Sequence, residues 1–346
     1  MTSIHVDITQ FRGNHYDFGY TQGCMLQDSA VLRNRQGNWR IRKPRFSIDE
    51  AEAKEAFSRF APGIWNELLG LGDALKMPMQ NVLRDFGHYR MNSTPSGCSI
   101  LTGSDFMVRN YDYHPLTYDG RYDFFQPSDK GYAIIGPASR ITGRMDGMNE
   151  KGLVMGYNFM QRRKPGDGFV CHMIGRIILQ TCTTVDDAIQ LLKEIPHRGS
   201  FSYVVMDRNE QTYVIEASPR GVEVRQSNIC TNHFELLQHE NRHYLDDSKR
   251  RMQIIDHKAN QPASAYDAFR LFNDKDKGIF SDLYKSWAGT IHTSAYFPKE
   301  LKAWFALGGD RDPVEFDFAE WLEDEDATAE TIHGKLDTQL GIANME

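Results

Sequence analysis

The residue of this sequence that is best placed for nucleophilic chemistry is a cysteine that directly follows a glycine. Cys98 stands after Gly97 at the start of a strand-like run, where a mostly helical part of the chain gives way to a β-rich part. Because Gly97 has no side chain, a thiol can approach its carbonyl and attack the bond before Cys98. Cleavage there would give Cys98 a free α-amine, whose ordinary pKa of about 7.7 to 8.0 allows it to accept the thiol proton near neutral pH.

The other cysteines of the chain lack this setting. Cys24 also follows a glycine, but it lies within a helical pattern with Tyr20 and Leu26 and is interpreted as a packed residue. The sequence contains five cysteines: Cys24, Cys98, Cys171, Cys182 and Cys230. No two of them form a C-x-x-C pair, so the sequence predicts neither a cysteine zinc site nor a disulfide framework.

An arginine and an aspartate follow Cys98 in the next strand-like run. If Arg109 and Asp112 are buried, they can orient the nucleophile and hold its amine. If they form an exposed ion pair, they contribute little. The local sequence leaves both interpretations open.

Several short motifs follow one another along the chain. They are Phe18-Gly19-Tyr20-x-x-Gly23, Gly97-Cys98, Arg109-Asn110-x-Asp112, Asp146-Gly147-Met148-Asn149-Glu150-Lys151-Gly152-Leu153 leading to Tyr157-Asn158-Phe159, Thr231-Asn232-His233-Phe234, and Thr290-Ile291-His292-Thr293 with Phe316-Asp317-Phe318. Each motif is weak alone, but their combination is specific and covers nearly the whole chain. Their order and spacing resemble the N-terminal-nucleophile (Ntn) hydrolases. Within that class the sequence is most similar to the penicillin acyltransferase (isopenicillin N acyltransferase-like) branch, which is related to choloylglycine hydrolases and penicillin V acylases.

This resemblance implies an α+β fold, a four-layer αββα sandwich in which two antiparallel sheets lie between helical layers. It also implies that the chain cuts itself between Gly97 and Cys98. The cut would divide the chain into a mainly helical pro-segment, residues 1–97, and an Ntn-hydrolase catalytic domain, residues 98–346.

The resemblance also assigns roles to individual residues. It implies that Cys98 is the nucleophile and that Arg109 and Asp112 support the nucleophile and its amine. It implies that Asn158 and Asn232 line the oxyanion site, where amide N–H groups stabilise the charge that develops on the attacked carbonyl oxygen. Without the resemblance, each asparagine is more simply a strand-end or turn residue that bonds to nearby backbone.

The expected reaction is hydrolysis or acyl transfer at a linear amide (a non-peptide C–N bond) or a thioester, through an acyl-enzyme on Cys98. The expected partners are a small acylated amide and, further, an acyl-CoA or an amine acceptor; no metal or organic cofactor is required. The sequence leaves open the acyl group, the choice between hydrolysis and transfer, and the oligomeric state, a homo-oligomer included. Choloylglycine hydrolases carry an arginine directly after a serine in this region, whereas Ser248 is followed by Lys249, Arg250 and Arg251, and no role is assigned to any of the three.

Two other functions compete with this interpretation. His239-Glu240-x-x-His243 matches the H-E-x-x-H pattern, in which two imidazoles on one helical face bind zinc and the glutamate serves as base. This copy lacks the apolar flanks that would bury the metal, so a surface helix or loop is the simpler interpretation. The third function is that of a catalytically silent relative that binds acylated ligands.

Hydrophobic patterning predicts the elements that position these residues. Helical periodicity covers 16–29, 48–60, 64–75 and 82–91, after a short alternating stretch near Val6. Strand-like runs then dominate, interrupted by two helical patterns, and their grouping into meanders favours antiparallel sheets with helices outside them. The aromatic stretch 113–126 is predicted to form a substrate rim or a packed surface loop.

Composition excludes several classes of function. The 346 residues contain 40 Lys plus Arg and 47 Asp plus Glu, which gives a formal net charge of −7. This acidic balance does not suit a nucleic-acid-binding protein. No apolar run approaches the roughly 18 to 20 residues of a membrane span, and the first residues lack a secretion signal, so a cytoplasmic protein is predicted.

Overall fold

A computed structural model describes residues 1–41, 46–91, 96–160, 164–241, 244–259, 264–286 and 288–342. Within them, the helices are α1 (His15–Leu26), α2 (Ala30–Ile41), α3 (Glu50–Phe60), α4 (Pro62–Leu75), α5 (Met79–Phe86), α6 (Cys171–Thr181), α7 (Val185–Glu194), α8 (Asp246–Ala259), α9 (Ala265–Asn273) and α10 (Phe318–Leu322). In the part of the chain that is described, no helix is both long enough and apolar enough to cross a bilayer.

The strands form two sheets. They are β1 (Thr2–Gly13), β2 (Gly97–Thr102), β3 (Met107–Tyr113), β4 (Arg121–Pro127), β5 (Ile134–Ser139), β6 (Gly143–Arg144), β7 (Asp146–Asn149), β8 (Val154–Met160), β9 (Ser200–Met206), β10 (Thr212–Ser218), β11 (Gly221–Arg225), β12 (Ile229–Cys230), β13 (Asp282–Leu283), β14 (Ala288–Phe297), β15 (Lys302–Leu307), β16 (Val314–Asp317) and β17 (Thr331–Leu336). The large sheet has the order β11-β10-β9-β8-β7-β5-β4-β1-β17, with β6 beside β5. The small sheet has the order β12-β2-β3-β14-β15-β16, with β13 beside β14.

Both sheets are covered on both faces, which makes four layers. Ile134 and Ile135 of β5 show the principle: because side chains alternate along a strand, Ile134 packs against the helices on the outer face of the large sheet, and Ile135 packs between the sheets. On the other side, Val108 of β3 packs against Phe269 of α9 on the outer face of the small sheet. The predicted αββα sandwich is confirmed.

Residues 1–97 are built into this sandwich. Strand β1, which the alternating residues near Val6 predict, lies between β4 and β17, parallel to β4 and antiparallel to β17. The helices of this segment cover the large sheet, and Glu67 of α4 forms a fully buried ion pair with Arg176 of α6 at 2.8 Å. The division of the chain at residue 97 stays a prediction, and the two parts share one sheet and one core.

The stretch 113–126 differs from its prediction as a rim or surface loop. Its second half is strand β4, which is buried beside β1 in the large sheet. The strand was not predicted because it contains charged residues. In the structure, Asp123 pairs with Arg144 at 2.8 Å, and neither side chain is exposed. In a sequence, such a buried pair looks the same as the charges of a solvated turn.

Candidate active site

The hairpin formed by β2 and β3 places Cys98 and the two predicted supporting residues. Its register sets Cys98 opposite Tyr111 and Gly97 opposite Asp112. Tyr111 packs between the sheets with Cys98, and Arg109 lies two residues away on the same face. Asp112 therefore points to the other face, toward α8 and α9. Because side chains alternate along β3, Arg109 faces the thiol of Cys98 and Asp112 lies beside the backbone of Gly97.

The sulfur of Cys98 is fully buried and touches Arg109. Arg109 Nη2 lies 3.4 Å from Cys98 Sγ and also donates to the carbonyl of Tyr157 at 2.6 Å. The guanidinium carbon lies 5.1 Å from the ring centroids of both Tyr111 and Tyr157, so the group is held between two aromatic faces. Burial raises the pKa of the Cys98 thiol, and the positive charge of Arg109 opposes that rise.

The backbone nitrogen of Cys98 is bound by a predicted site residue. Its N–H donates to Asn232 Oδ1 at 2.8 Å. Arg251 of α8 donates to the same oxygen at 2.9 Å, to the carbonyl of Cys98 at 2.7 Å and to Ser99 Oγ at 2.6 Å. Asn232 and Arg251 therefore fix both backbone groups of the candidate nucleophile.

Arg251 is a site residue that the sequence alone did not identify. Of the three cations after Ser248, Lys249 and Arg250 are exposed, and Arg250 bonds to Asp247 and to the carbonyl of Gly278. Helical periodicity was the available signal, since Ser248, Arg251 and Ile255 occupy one buried face of α8. Ser248 Oγ also accepts from the backbone N–H of Asn232 at 2.7 Å.

Asp112 lies beside the peptide bond that is predicted to break. Its Oδ2 would be 3.6 Å from a Cβ built on Gly97, and its Oδ1 accepts from Thr290 Oγ1 at 2.7 Å. Such a Cβ would be at ordinary contact distances, so packing alone does not require glycine at position 97. Burial raises the pKa of Asp112 to about 7, although Arg251 and Thr290 lower it.

This raised pKa predicts a pH-dependent stability. Between about pH 4 and 7 the folded chain binds a proton at Asp112 that the unfolded chain releases, so the contribution of Asp112 to the free energy of unfolding falls as pH rises through this window. The substitution Asp112→Asn is made in the uncut Cys98→Ala chain, which serves as the parent. We expect the free energy of unfolding of the variant, relative to that of the parent, to increase from pH 4 to pH 8 by about 4 kcal/mol at most. Denaturant unfolding at several pH values measures the difference. Asp105→Asn, on the exposed turn of the same hairpin, is the control, and a difference that is constant with pH contradicts the prediction.

The two predicted oxyanion residues cross-link the sheets. Asn158 Nδ2, on β8, donates to the carbonyls of Cys230 and Thr231 at 3.0 and 3.1 Å. Asn232 Nδ2 donates to the carbonyl of Phe159 at 3.0 Å. Both amide hydrogens of Asn158 are thus engaged, whereas Asn232 retains one that this bond does not use. Their oxyanion roles stay predictions, and Asn232 is the better placed of the two.

The competing zinc motif is only partly described. His239 and Glu240 lie in a single 3₁₀ turn, and His243 lies outside the described residues. Glu240 is buried and accepts from Arg220 Nη2 at 2.6 Å and from Ser200 Oγ at 3.3 Å. Within the described ranges, no group of three or more His, Cys, Asp or Glu side chains is arranged to hold a metal ion.

Comparison with known proteins gives the family. Residues 101–312 match the family model described as acyl-coenzyme A:6-aminopenicillanic acid acyl-transferase, which is more than half of the 346 residues. The chain belongs to this acyl-transferase family. The acyltransferase that the motifs predict is confirmed at the level of the family. The match includes Arg109, Asp112, Asn158 and Asn232, and it begins three residues after Cys98.

The solved structures that are similar to this acyl-transferase family member share little sequence identity with it. Penicillin V acylase from Agrobacterium tumefaciens has a TM-score of 0.44 and 11% identity, over 65% of this chain and 86% of that one. A mutant of conjugated bile acid hydrolase from Clostridium perfringens has a TM-score of 0.39 and 14% identity, over 72% and 100%. The Caenorhabditis elegans ortholog of N-acylethanolamine-hydrolyzing acid amidase has a TM-score of 0.41 and 12% identity, over 59% and 93%. No curated protein matches the sequence.

Proposed function

We propose that this chain is a cysteine Ntn amidohydrolase or acyltransferase that cuts itself between Gly97 and Cys98 and then acts on a small acylated amide or thioester. One observation carries the proposal. Arg109 binds the sulfur of Cys98 at 3.4 Å, and Asn232 binds the backbone nitrogen of the same residue at 2.8 Å. A nucleophile and its future amine are therefore held by separate groups.

Self-cleavage needs no other reactant than water. The Cys98 sulfur attacks the Gly97 carbonyl carbon, the C–N bond to Cys98 breaks, and the thiol proton passes to the departing nitrogen. Water then hydrolyses the thioester, which frees the thiol and leaves a carboxylate on Gly97. Asp112, whose carboxylate lies beside Gly97, is the group we assign to move the proton, since its pKa of about 7 suits transfer near neutral pH.

Turnover repeats this chemistry on a substrate. The α-amine of Cys98 takes the thiol proton, the sulfur attacks the acyl carbonyl of the amide or thioester, and the amine returns the proton to the leaving group as the acyl-enzyme forms. Water or an amine acceptor then takes the acyl group. Arg109 stabilises the developing thiolate, the remaining amide hydrogen of Asn232 is directed at the oxyanion, and Asn158 holds the segment that carries Asn232.

The proposal is tested by trapping the acyl-enzyme. Purified protein is incubated with a panel of N-acyl amides and acyl thioesters, and peptides are analysed by mass spectrometry. We expect an acyl adduct on a peptide that begins at Cys98, and turnover that is unchanged by a metal chelator. An uncut chain whose Cys98 forms no adduct and resists iodoacetamide indicates a silent, ligand-binding relative instead. Loss of activity on chelation, together with stoichiometric zinc, indicates the peptidase that His239 and His243 suggest.

A further inference from the structure

A second fully buried carboxylate lies behind Arg109, on the side away from Cys98. Asp146 begins β7 in the large sheet and reaches across to the small sheet, where its Oδ2 accepts from Arg109 Nη1 at 2.6 Å. Its Oδ1 accepts from Tyr296 at 2.5 Å and from Ser294 at 3.2 Å. His292 Nε2 lies 3.6 Å from Oδ2, a contact longer than a hydrogen bond.

Three of these neighbours come from one strand, β14. His292, Ser294 and Tyr296 are alternate residues, so their side chains face the same way, and all three are buried. The first of them belongs to the Thr290-Ile291-His292-Thr293 motif, and Thr290 itself holds Asp112 at 2.7 Å. Strand β14 therefore bonds to both carboxylates near the candidate nucleophile, Asp112 on one face of the small sheet and Asp146 on the other.

We propose that Asp146 is a positioning residue for the thiol, an inference that rests on the proposed function. Asp146 holds Arg109 so that one of its N–H groups is directed at Cys98 Sγ. Its negative charge also partly offsets the positive charge of the guanidinium. Asp146 therefore determines how strongly Arg109 stabilises the thiolate. Ser294 and Tyr296 in turn hold Asp146 in place by hydrogen bonds, and His292 lies beside it.

The geometry supports this assignment over a simple cross-link between the sheets. Arg109 makes three directed contacts, to Asp146, to the Tyr157 carbonyl and to the Cys98 sulfur, and the first two leave the third N–H group no other orientation. Burial alone would raise the pKa of Asp146, but His292, Arg109 and Tyr296 lower it to about 2. The carboxylate is therefore charged across the working pH range and competes with the thiolate for Arg109.

The test compares two sets of variants with opposite expected effects on the pH midpoint of Cys98 alkylation by iodoacetamide. Asp146→Asn removes the competing charge, so we expect the midpoint to fall by about one pH unit, with self-cleavage slowed by about tenfold because the guanidinium is held less firmly. The double variant Ser294→Ala with Tyr296→Phe keeps the negative charge of Asp146 but removes two hydrogen-bond donors to its carboxylate. Asp146 then attracts Arg109 more strongly, and the midpoint should rise. Asp146→Glu should restore the wild-type midpoint.

The charged and titratable groups that interact electrostatically with Cys98 stay the same in all these variants: Arg109, Tyr111 and Asp112 of β3 and Arg251 of α8. A midpoint that stays at the wild-type value in both sets overturns the proposal and leaves Asp146 as a structural cross-link, whatever happens to thermal stability. A wild-type chain that never cuts itself contradicts the proposed function instead. The midpoints of the uncut chains can still be compared, so the two failures are distinguishable.

Discussion

Replacing Cys98 by alanine is expected to leave one uncut chain of 346 residues without acyl transfer or hydrolysis, whereas the wild type yields parts of 97 and 346 − 97 = 249 residues. The reason is that the sulfur is the only protein group proposed to bond to the attacked carbonyl carbon in either reaction, and the α-amine appears only after the cut. We expect turnover to fall by at least about 1,000-fold. Intact mass of both proteins measures the cleavage, and substrate turnover measures the second reaction.

Two other cysteines provide controls for this prediction. Cys24 also follows a glycine but is exposed on α1, so its interpretation as a packed residue is wrong. Cys230 is buried on β12 in the same sheet as Cys98. Alanine at either position should leave cleavage intact. If the Cys98→Ala chain is still cut after Gly97, the nucleophile is another residue and the proposed mechanism is wrong.

Replacing Arg251 by glutamine is expected to slow self-cleavage and turnover by at least about 100-fold. Arg251 is 3% exposed and donates to the Cys98 carbonyl, to Ser99 and to Asn232, so its loss leaves three buried acceptors with weaker partners or none. The positive charge of Arg251 also disfavours protonation of the α-amine of Cys98 in the cut chain. The variant should therefore raise the pKa of this amine. The rate of cleavage is followed by intact mass, and the pH profile of turnover reports the amine.

The next residue back along the helix is a matched control. Arg250 has the same charge and the same helix, but it is exposed and bonds to Asp247 and Gly278. Arg250→Gln should leave both rates within about twofold of wild type, since exposed ion pairs contribute little. Equal effects of the two substitutions would show that helix charge, rather than the contact with Cys98, supports the site.

Local signals located the hairpin that carries part of the site. Strand periodicity places Cys98, Arg109 and Asp112 on adjacent strands, but the local sequence left open whether the two charges are buried, and their roles followed from the family resemblance. In the structure, the register and the alternation of side chains direct Arg109 to the sulfur and Asp112 to the peptide before it. The family motifs add Asn158 and Asn232 as neighbours of this hairpin. Their order along the chain could be read without coordinates because each motif is continuous in sequence.

The predictions from sequence were wrong or incomplete for charged residues that are buried in the core. The stretch 113–126 is aromatic and turn-rich and is therefore predicted to be a rim or a surface loop, yet Arg121–Pro127 is a strand of the large sheet in which Asp123 pairs with the buried Arg144. The same ambiguity left Lys249, Arg250 and Arg251 equivalent in the sequence. A charged side chain is solvated or buried according to which element packs over it, and that element is elsewhere in the chain.

The sequence by itself located the candidate nucleophile and the hairpin that carries it, and the family that its motifs resemble implied the four-layer fold. Tertiary structure decided which groups surround the sulfur and nitrogen: Arg251 reaches the Cys98 carbonyl from 153 residues away, and Asp146 reaches Arg109 from 37. Local patterns are fixed by the geometry of helices and strands, which repeats over a few residues. Contacts between distant residues depend on strand order and on the packing of one layer against another, and no short stretch of sequence contains that information.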